Sequence, residues 1–382
     1  MCMPEKTMHL GAVTTLLLAS QFMIFIPAVV SDKTKHIPSD TSKLDAWIAT
    51  NIREYRQRIW ESKKGLHSSL DPILVAAEAE VNVIKVRKDG TGDFKTITDA
   101  LNSIPKGNLK RTVIWIGGGE YWEKITIDRS KPFITLYGST ADMPSITYDG
   151  TAFKYGTVDS ATVAVESDYF MAVNIAFVVR TNSAPMPDGK RVGAQAVAMR
   201  ISGDKAAFHN CMFIGFQDTL CDDRGRHFFK DCQIQGTVDF IFGDGKSLYL
   251  NTMIQSVAKG VGVITAQARE NVADTSGFAF VHCNISGSGD TYLGRAWRLR
   301  PRVVFAYTYM GTLINGEGWS DNLHADRDKT VYYGEYMCEG PGATPSGRVK
   351  FAKLLTGEEA KPFLSMTYIN GNKWLLPPPN YV

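Results

Sequence analysis

Two aspartates, Asp218 and Asp239, hold the same place in two versions of one pattern, His209 to Leu220 and Lys230 to Ile241. Each version has a cysteine, an apolar alternation, a glycine and then an acid among apolar residues. The stretches superpose at a shift of 21, because Cys211 maps to Cys232 (232 − 211 = 21), Gly215 to Gly236 (236 − 215 = 21) and Asp218 to Asp239 (239 − 218 = 21). A unit repeating at that period is the signature of a coiled solenoid. If each unit is one turn of a parallel β-helix, equivalent residues stack about 4.8 Å apart, and the two carboxyls share one surface. Like charges held that close raise the pKa of one partner, so one aspartate can keep a proton near neutral pH while the other stays ionised. Such a pair can divide the work of nucleophile and proton donor. The repeat alone also admits a plainer role, since an aspartate beside a strand turn is ordinarily a turn residue.

The elements that must position this pair are mostly short strands. From Val81 onward, β-branched and aromatic runs (Ile84 to Val86, Thr112 to Ile116, Ile125 to Ile127, Phe133 to Tyr137, Thr162 to Val165) are separated by Gly, Asp and Ser, which reads as strand and turn. Asn174 to Phe177, Asn210 to Phe213 and Cys283 to Ile285 repeat one local shape and extend the stack of coils. Antiparallel sandwiches and propellers would call for frequent Asn-Gly or Asp-Gly turns. The six such pairs, at 89, 149, 188, 244, 315 and 370, are sparse for so long an array. Helical spacing marks Leu44 to Arg58, with Ser42 as N-cap, and Asp71 to Ala79; Asp93 to Ile104 is the one helix expected within the array. The N-terminal helices are expected to cap one end of the coil, whose unpaired edge must be covered.

The composition frames this reading. With 382 residues, 44% hydrophobic and 21% charged, the chain can bury a large core, and its net charge of +3 is mild. No basic block resembles a nucleic-acid patch; Arg295, Arg298, Arg300 and Arg302 alternate within a strand-like run and are expected to line one site. Lys6 followed by the uncharged stretch Leu10 to Val30 reads as a secretory signal peptide cut near Ala28 and Ser31, with an uncleaved anchor as the rival. The division expected is 1–31 signal peptide, 32–80 helical segment and 81–382 parallel β-helix. Five cysteines then remain, an odd number, and buried ladder thiols are the plainer reading of Cys211 and Cys232. Asn284-Ile285-Ser286 is a glycosylation sequon. His209, His227 and His282 stand apart, and no cluster has metal-ligand spacing, so neither metal nor cofactor is implied.

Five ordered segments carry a family resemblance: Gly119 to Glu123 (GEYWE), Gln195 to Arg200 (QAVAMR), Gly215 to Leu220 (GFQDTL), Asp239 to Gly243 (DFIFG) and Leu293 to Trp297 (LGRAW). Together they resemble the signatures of plant pectin methylesterases, and the resemblance extends from about Val81 to Pro377. It implies an all-β, right-handed parallel β-helix and hydrolysis of the C6 methyl esters of homogalacturonan. By resemblance Asp239 is the nucleophile, Asp218 the general acid and then base, Gln217 and Gln195 the amide donors to the oxyanion, and Arg295 the residue that holds Asp239 ionised. Thr157, Gln195, Arg295 and Trp297 are substrate-binding residues, with Trp319 as a second sugar platform, and Glu123 is a structural acid paired with a basic residue.

Partners implied are methylesterified homogalacturonan and a separate inhibitor protein, with no nucleic acid and no stable membrane insertion; a secreted, cell-wall monomer is expected. The roughly fifty residues between the signal and Val81 are too few for a four-helix inhibitor-like bundle at about 11–12 residues per helix, so no such prodomain is expected. The sequence departs from the family pattern at Ala296, where Pro is commonest, and at Val158, where an aromatic is frequent, so substrate grip is expected to differ. A polyuronate hydrolase or lyase on the same scaffold, or a pectin-binding relative without activity, are the rival classes.

Overall fold

The computed structural model describes residues 36–66, 68–180 and 192–379, so the expected signal peptide lies outside the described residues. Successive coils pass through three columns of short parallel strands. One coil runs Leu220–Asp222, then Arg226–Lys230, then Gln233–Gly236, and the next begins at Ile241–Gly243. The middle column is an 11-stranded sheet from Asn82–Val86 to Ala352–Leu354, and the long strand Met253–Gln267 joins the other two columns into a 14-stranded sheet. Every strand pairing in both sheets is parallel, and the shift of 21 is the register itself: Met199 pairs with Leu220, Leu220 with Ile241 and Met212 with Gln233. The molecule is a right-handed parallel β-helix.

The interior is filled by ladders. Phe208, Phe229, Tyr249, Phe280 and Phe305 stack in line with ring centroids 4.7, 4.5, 4.4 and 4.5 Å apart, all fully buried. That separation is the distance between paired strands, about 4.8 Å, so a face-to-face stack is what identical positions on neighbouring coils produce.

The repeated cysteines mark a corner. Asn174, Asn210, Asp231, Asn251 and His282 all have left-handed backbone, φ between 49 and 56°, a region in which Asn and Asp are enriched. The residue after each turns inward. Cys211, Cys232 and Cys283 direct their thiols to carbonyls two residues back, at 3.4 to 3.7 Å, and Thr252 and Thr308 do the same with hydroxyls. Cysteine here is a small inward donor that threonine can replace. All five described cysteines are free thiols, as the ladder reading expects.

Three helices, two before the first strand of the middle column and one after it, pack on the coils. α1 (Leu44–Lys63) and α2 (Pro72–Ala77) lay Leu44, Trp47, Leu74 and Ala77 on the outer face of the 11-stranded sheet, against residues such as Val113, Tyr137 and Phe228. α3 (Ile97–Ser103) sends Ile97, Ala100 and Leu101 into the interior and closes the coil there. Two sequence expectations are corrected. Ser42 does not cap α1; it lies in a preceding 3-10 turn and donates its backbone N–H and its hydroxyl to Asp40. Among the described residues Glu123 pairs with no basic residue but accepts from the N–H groups of Ile97 and Thr98 at 2.9 and 2.8 Å, anchoring the start of α3, where a carboxylate is favoured. Asn284, the sequon residue, is exposed at a strand start.

Phe229→Ala breaks the aromatic ladder and is expected to cost about 3–5 kcal/mol, whereas Cys283→Thr is expected to stay within about 1.5 kcal/mol. Urea unfolding distinguishes the two, and added reductant is expected to leave the wild-type midpoint unmoved.

Candidate active site

A second corner, where the third column turns into the first, places the acids. Asp218 (φ 66°) and Asp239 (φ 49°) are its left-handed residues in consecutive coils, and the pairing of Leu220 with Ile241 immediately beyond fixes one above the other. The Asp218 N–H donates to Val238 O at 3.1 Å. Both acids are buried, with 8% and 7% of their surface exposed.

Arg295, at the end of strand Asn284–Arg295, grips Asp239 with two hydrogen bonds. Its Nε donates to Oδ1 at 2.8 Å and its second terminal nitrogen to Oδ2. The fork geometry matches a carboxylate in a way a lysine cannot. Burial pushes Asp239 up from the usual carboxylate range, opposed by the hydrogen bonds and charge of Arg295. Asp218 has no such counterion. Burial first, and the neighbouring Asp239 second, raise it to about 8 against the weaker pull of Arg295. The arrangement therefore keeps a proton on Asp218 at neutral pH and gives Asp239 the counterion.

The amides lie alongside. Ala196 N donates to Gln217 O at 3.2 Å, which sets the Gln195 and Gln217 segments on adjoining coils. Gln195 Nε2 donates to Thr157 Oγ1 at 3.3 Å, and Ala152 N to Gln195 O at 2.9 Å ties this segment to α4 (Ala152–Tyr155). Small and apolar side chains, Ala161, Ala164, Val197, Cys221, Phe242 and Ala266, form the outward floor of the first column. Trp297, 40% exposed, stands edge-on to Phe242 at 6.3 Å, with the Arg298 guanidinium 5.2 Å from its ring. A cavity of about 760 Å³ lies elsewhere, between α1, Trp115, Tyr137 and Pro377 to Pro379, and is lined by none of these groups.

Asp218, Asp239 and Arg295 come together as expected, and Gln195 meets Thr157. Two residues do not fit. Trp319 is fully buried, stacked on Tyr333 at 4.3 Å with its Nε1 donating to Glu335 at 3.1 Å, so it is a core residue and no sugar platform. Arg302 opens strand Arg302–Ala306 in the other sheet, apart from Arg295. Sequence reasoning missed Asn322, whose Oδ1 accepts from Arg295 at 3.3 Å from a left-handed backbone, φ 58°; no local motif announces it. It also missed Phe153, 84% exposed on α4.

The chain matches the Pectinesterase family model over residues 83–372. It is 50% identical over 374 residues to putative pectinesterase 63 of Arabidopsis thaliana, covering 98% of this chain and 99% of that one. It is 48% identical over 358 residues to pectinesterase 2 of Olea europaea, with 93% and 95% covered. Among solved structures it is similar to the pectin methylesterase from carrot, with a TM-score of 0.71, 31% identity and coverage of 76% of this chain and 94% of that one. It is also similar to a pectin methylesterase in complex with a hexasaccharide, with a TM-score of 0.65, 27% identity and coverage of 78% and 99%.

The elevated Asp218 makes a stability prediction. Unfolded, this carboxyl ionises near 3.8; folded, near 8. Between those values the folded state holds a proton that the unfolded state has lost, so this group's contribution falls as pH rises from about 4 to 8. Asp218→Asn removes that slope. The variant is expected to melt above wild type at pH 8, by on the order of 5 kcal/mol in stability if nothing else changes, and the gap is expected to close toward pH 4. Melting curves across that range give the answer; a pH-independent gap contradicts the assignment.

Proposed function

This chain belongs to the pectinesterase family and is a carboxylic ester hydrolase acting on pectin; on that premise we propose that Asp239 attacks the C6 methyl esters of homogalacturonan and that Asp218 handles the proton. The observation that carries this reading is the pair of unlike acids, one bonded twice to Arg295, the other without a counterion and raised to about 8.

An Asp239 oxygen adds to the ester carbonyl carbon and gives a tetrahedral oxyanion. The side-chain N–H groups of Gln195 and Gln217 stabilise that charge. Collapse breaks the bond to the methoxy oxygen, which takes the Asp218 proton and leaves as methanol, and an acyl anhydride joins Asp239 to the substrate. Asp218, now a carboxylate, removes a proton from water. The hydroxide equivalent adds at the acyl carbon and the bond to the Asp239 oxygen breaks, releasing Asp239 as a carboxylate and the product as a uronic acid that gives its proton to solvent, while the proton taken from water leaves Asp218 neutral again. Arg295 neutralises Asp239 in every charged state of this cycle. Asn322 orients Arg295 in turn and is a positioning residue. Trp297 takes a galacturonate ring on its exposed face, and Thr157 fixes the Gln195 amide while binding substrate with it.

In this reading the protein is a secreted, cell-wall enzyme, a monomer, and a target for a separate inhibitor protein that covers the same groove. Expected division of the chain follows the change from helical to strand pattern near residue 81.

Purified protein is expected to release methanol from highly methylated pectin with no fall in chain length and no unsaturated uronate. Asp239→Asn is expected to lower kcat by at least about 10³-fold, and Gln217→Ala by about 10²–10³-fold. The rate is expected to fall above about pH 8, where Asp218 loses its proton. Chain scission, or undiminished methanol release by Asp239→Asn, would overturn the mechanism.

A further inference from the structure

The displaced Arg302 belongs to a second feature, on the outer face of the 11-stranded sheet. Arg226 pairs with Lys246, Lys246 with Gly277, and Phe278 with Val303, which sets Arg302 beside Gly277. Three cations therefore sit on one row of outward positions, interrupted by a glycine. A side chain at Gly277 would lie 3.0 Å from the Arg302 Cβ and Cδ, so the arginine stem crosses the glycine toward Lys246. Arg226 is neutralised by Asp204. Among the described residues neither Lys246 nor Arg302 has a carboxylate within ion-pair distance. The Lys246 ammonium is pushed down by burial and by the charges of Arg302 and Arg226, with no acid opposing them. Asp244, on the adjoining turn, is occupied by Ser276 and Gln267.

A hydroxyl stands over the same point. Tyr368, on the 3-10 turn Met366–Ile369, is 92% buried, yet its Oη has no hydrogen-bond partner among the described residues. That oxygen lies 2.9 Å from where a Gly277 Cβ would be, and the Lys246 Nζ is 5.2 Å from the ring centre. Two partly buried cations drawn together without an acid, beside an unsatisfied buried donor, cost free energy unless an anion joins them.

We propose that Lys246, Arg302 and the Tyr368 hydroxyl form a binding site for one compact oxyanion, distinct from the groove of Asp218 and Asp239. Lys246 follows Asp239 by seven residues (246 − 239 = 7), beyond the strand Ile241–Gly243 and the turn at Asp244, in a different sheet. The two cations supply charge and the tyrosine a neutral hydrogen bond, a donor set that suits either a uronate carboxylate of a pectic chain or free inorganic phosphate. An occupied site ties the C-terminal segment carrying Tyr368 to three coils of the sheet.

The test is thermal melting of the intact protein with sodium phosphate in one arm and a fully de-esterified oligogalacturonide in the other, at fixed ionic strength set with sodium chloride. Wild type is expected to show a saturable rise in Tm. Lys246→Gln is expected to weaken the response at least about tenfold and, with no anion present, to melt above wild type because the repulsion is relieved. Tyr368→Phe, which removes only the hydroxyl, is expected to weaken it by a smaller factor. A response in the phosphate arm assigns the free anion; one confined to the oligogalacturonide arm assigns the uronate. Asp239→Asn is expected to keep the response in full, so failure here and failure of the esterase mechanism are read separately. No saturable response by wild type in either arm up to about 10 mM, or equal responses from wild type and Lys246→Gln, overturns the site.

Discussion

Leu220 pairs with Ile241 and Cys221 with Phe242, and that in-register parallel pairing is the constraint from which the site follows. Each strand is only three residues long, so no strand could orient a side chain by itself. The coil above and the coil below do it. Once the register is set, the corner before each strand must bend with left-handed backbone, and aspartate accepts that conformation at low cost. The two acids are thus placed by the geometry of turning a corner twice, one strand spacing apart. The aromatic ladder from Phe208 to Phe305 maintains the register from inside, because a slip of one residue would turn every ring outward.

Such placement creates an electrostatic problem that the site resolves with one arginine and one proton. Two buried carboxylates and one guanidinium would leave a net negative charge in a poorly solvated place, which is costly. Of the two acids Arg295 is bonded to Asp239 alone, so the remaining acid finds its lower free energy by staying protonated. The pair is unlike for that reason: the same residue type at equivalent corners differs because only one coil has a cation in reach. The asymmetry that the proposed acid and nucleophile require comes from a contact 56 residues away in sequence, and not from any difference between the two repeats.

That division also explains what could be read from the chain. The period of 21, the strand runs and the five ordered segments are local patterns, and each appears in the structure where the sequence puts it. Where the reading failed, a distant contact decides the outcome. An exposed platform is expected at Trp319, but its ring meets Tyr333 of the other sheet and its N–H meets Glu335. Glu123 was assigned a basic partner, but the donors it found are the free N–H groups at the start of α3. Arg302 followed the alternation of its neighbours, yet the corner between Arg295 and Arg302 turns it onto another sheet. Asn322 was invisible because its only mark is a left-handed backbone at a coil corner, which any of several residues could supply.

Ala296 shows how one departure from a family pattern acts through the same corners. A proline there would have no N–H, whereas the Ala296 N–H donates to Ser320 O at 2.8 Å. Gly294 and Arg295 pair with Trp319 and Ser320, so this bond carries the ladder one residue past the strand and into the wall that bears Trp297. Arg327 holds the other side of that wall, donating to the carbonyls of Ala296 and Trp297. The segment so bound is continuous with Asn322, which touches Arg295. Alanine therefore fastens the wall to the next coil by a backbone hydrogen bond where proline would restrict it through its ring. On the proposed function, the consequence for substrate grip runs through the pose of Trp297 and Arg295 on a wall tied at both edges, and not through a lost contact at residue 296, whose side chain is wholly buried.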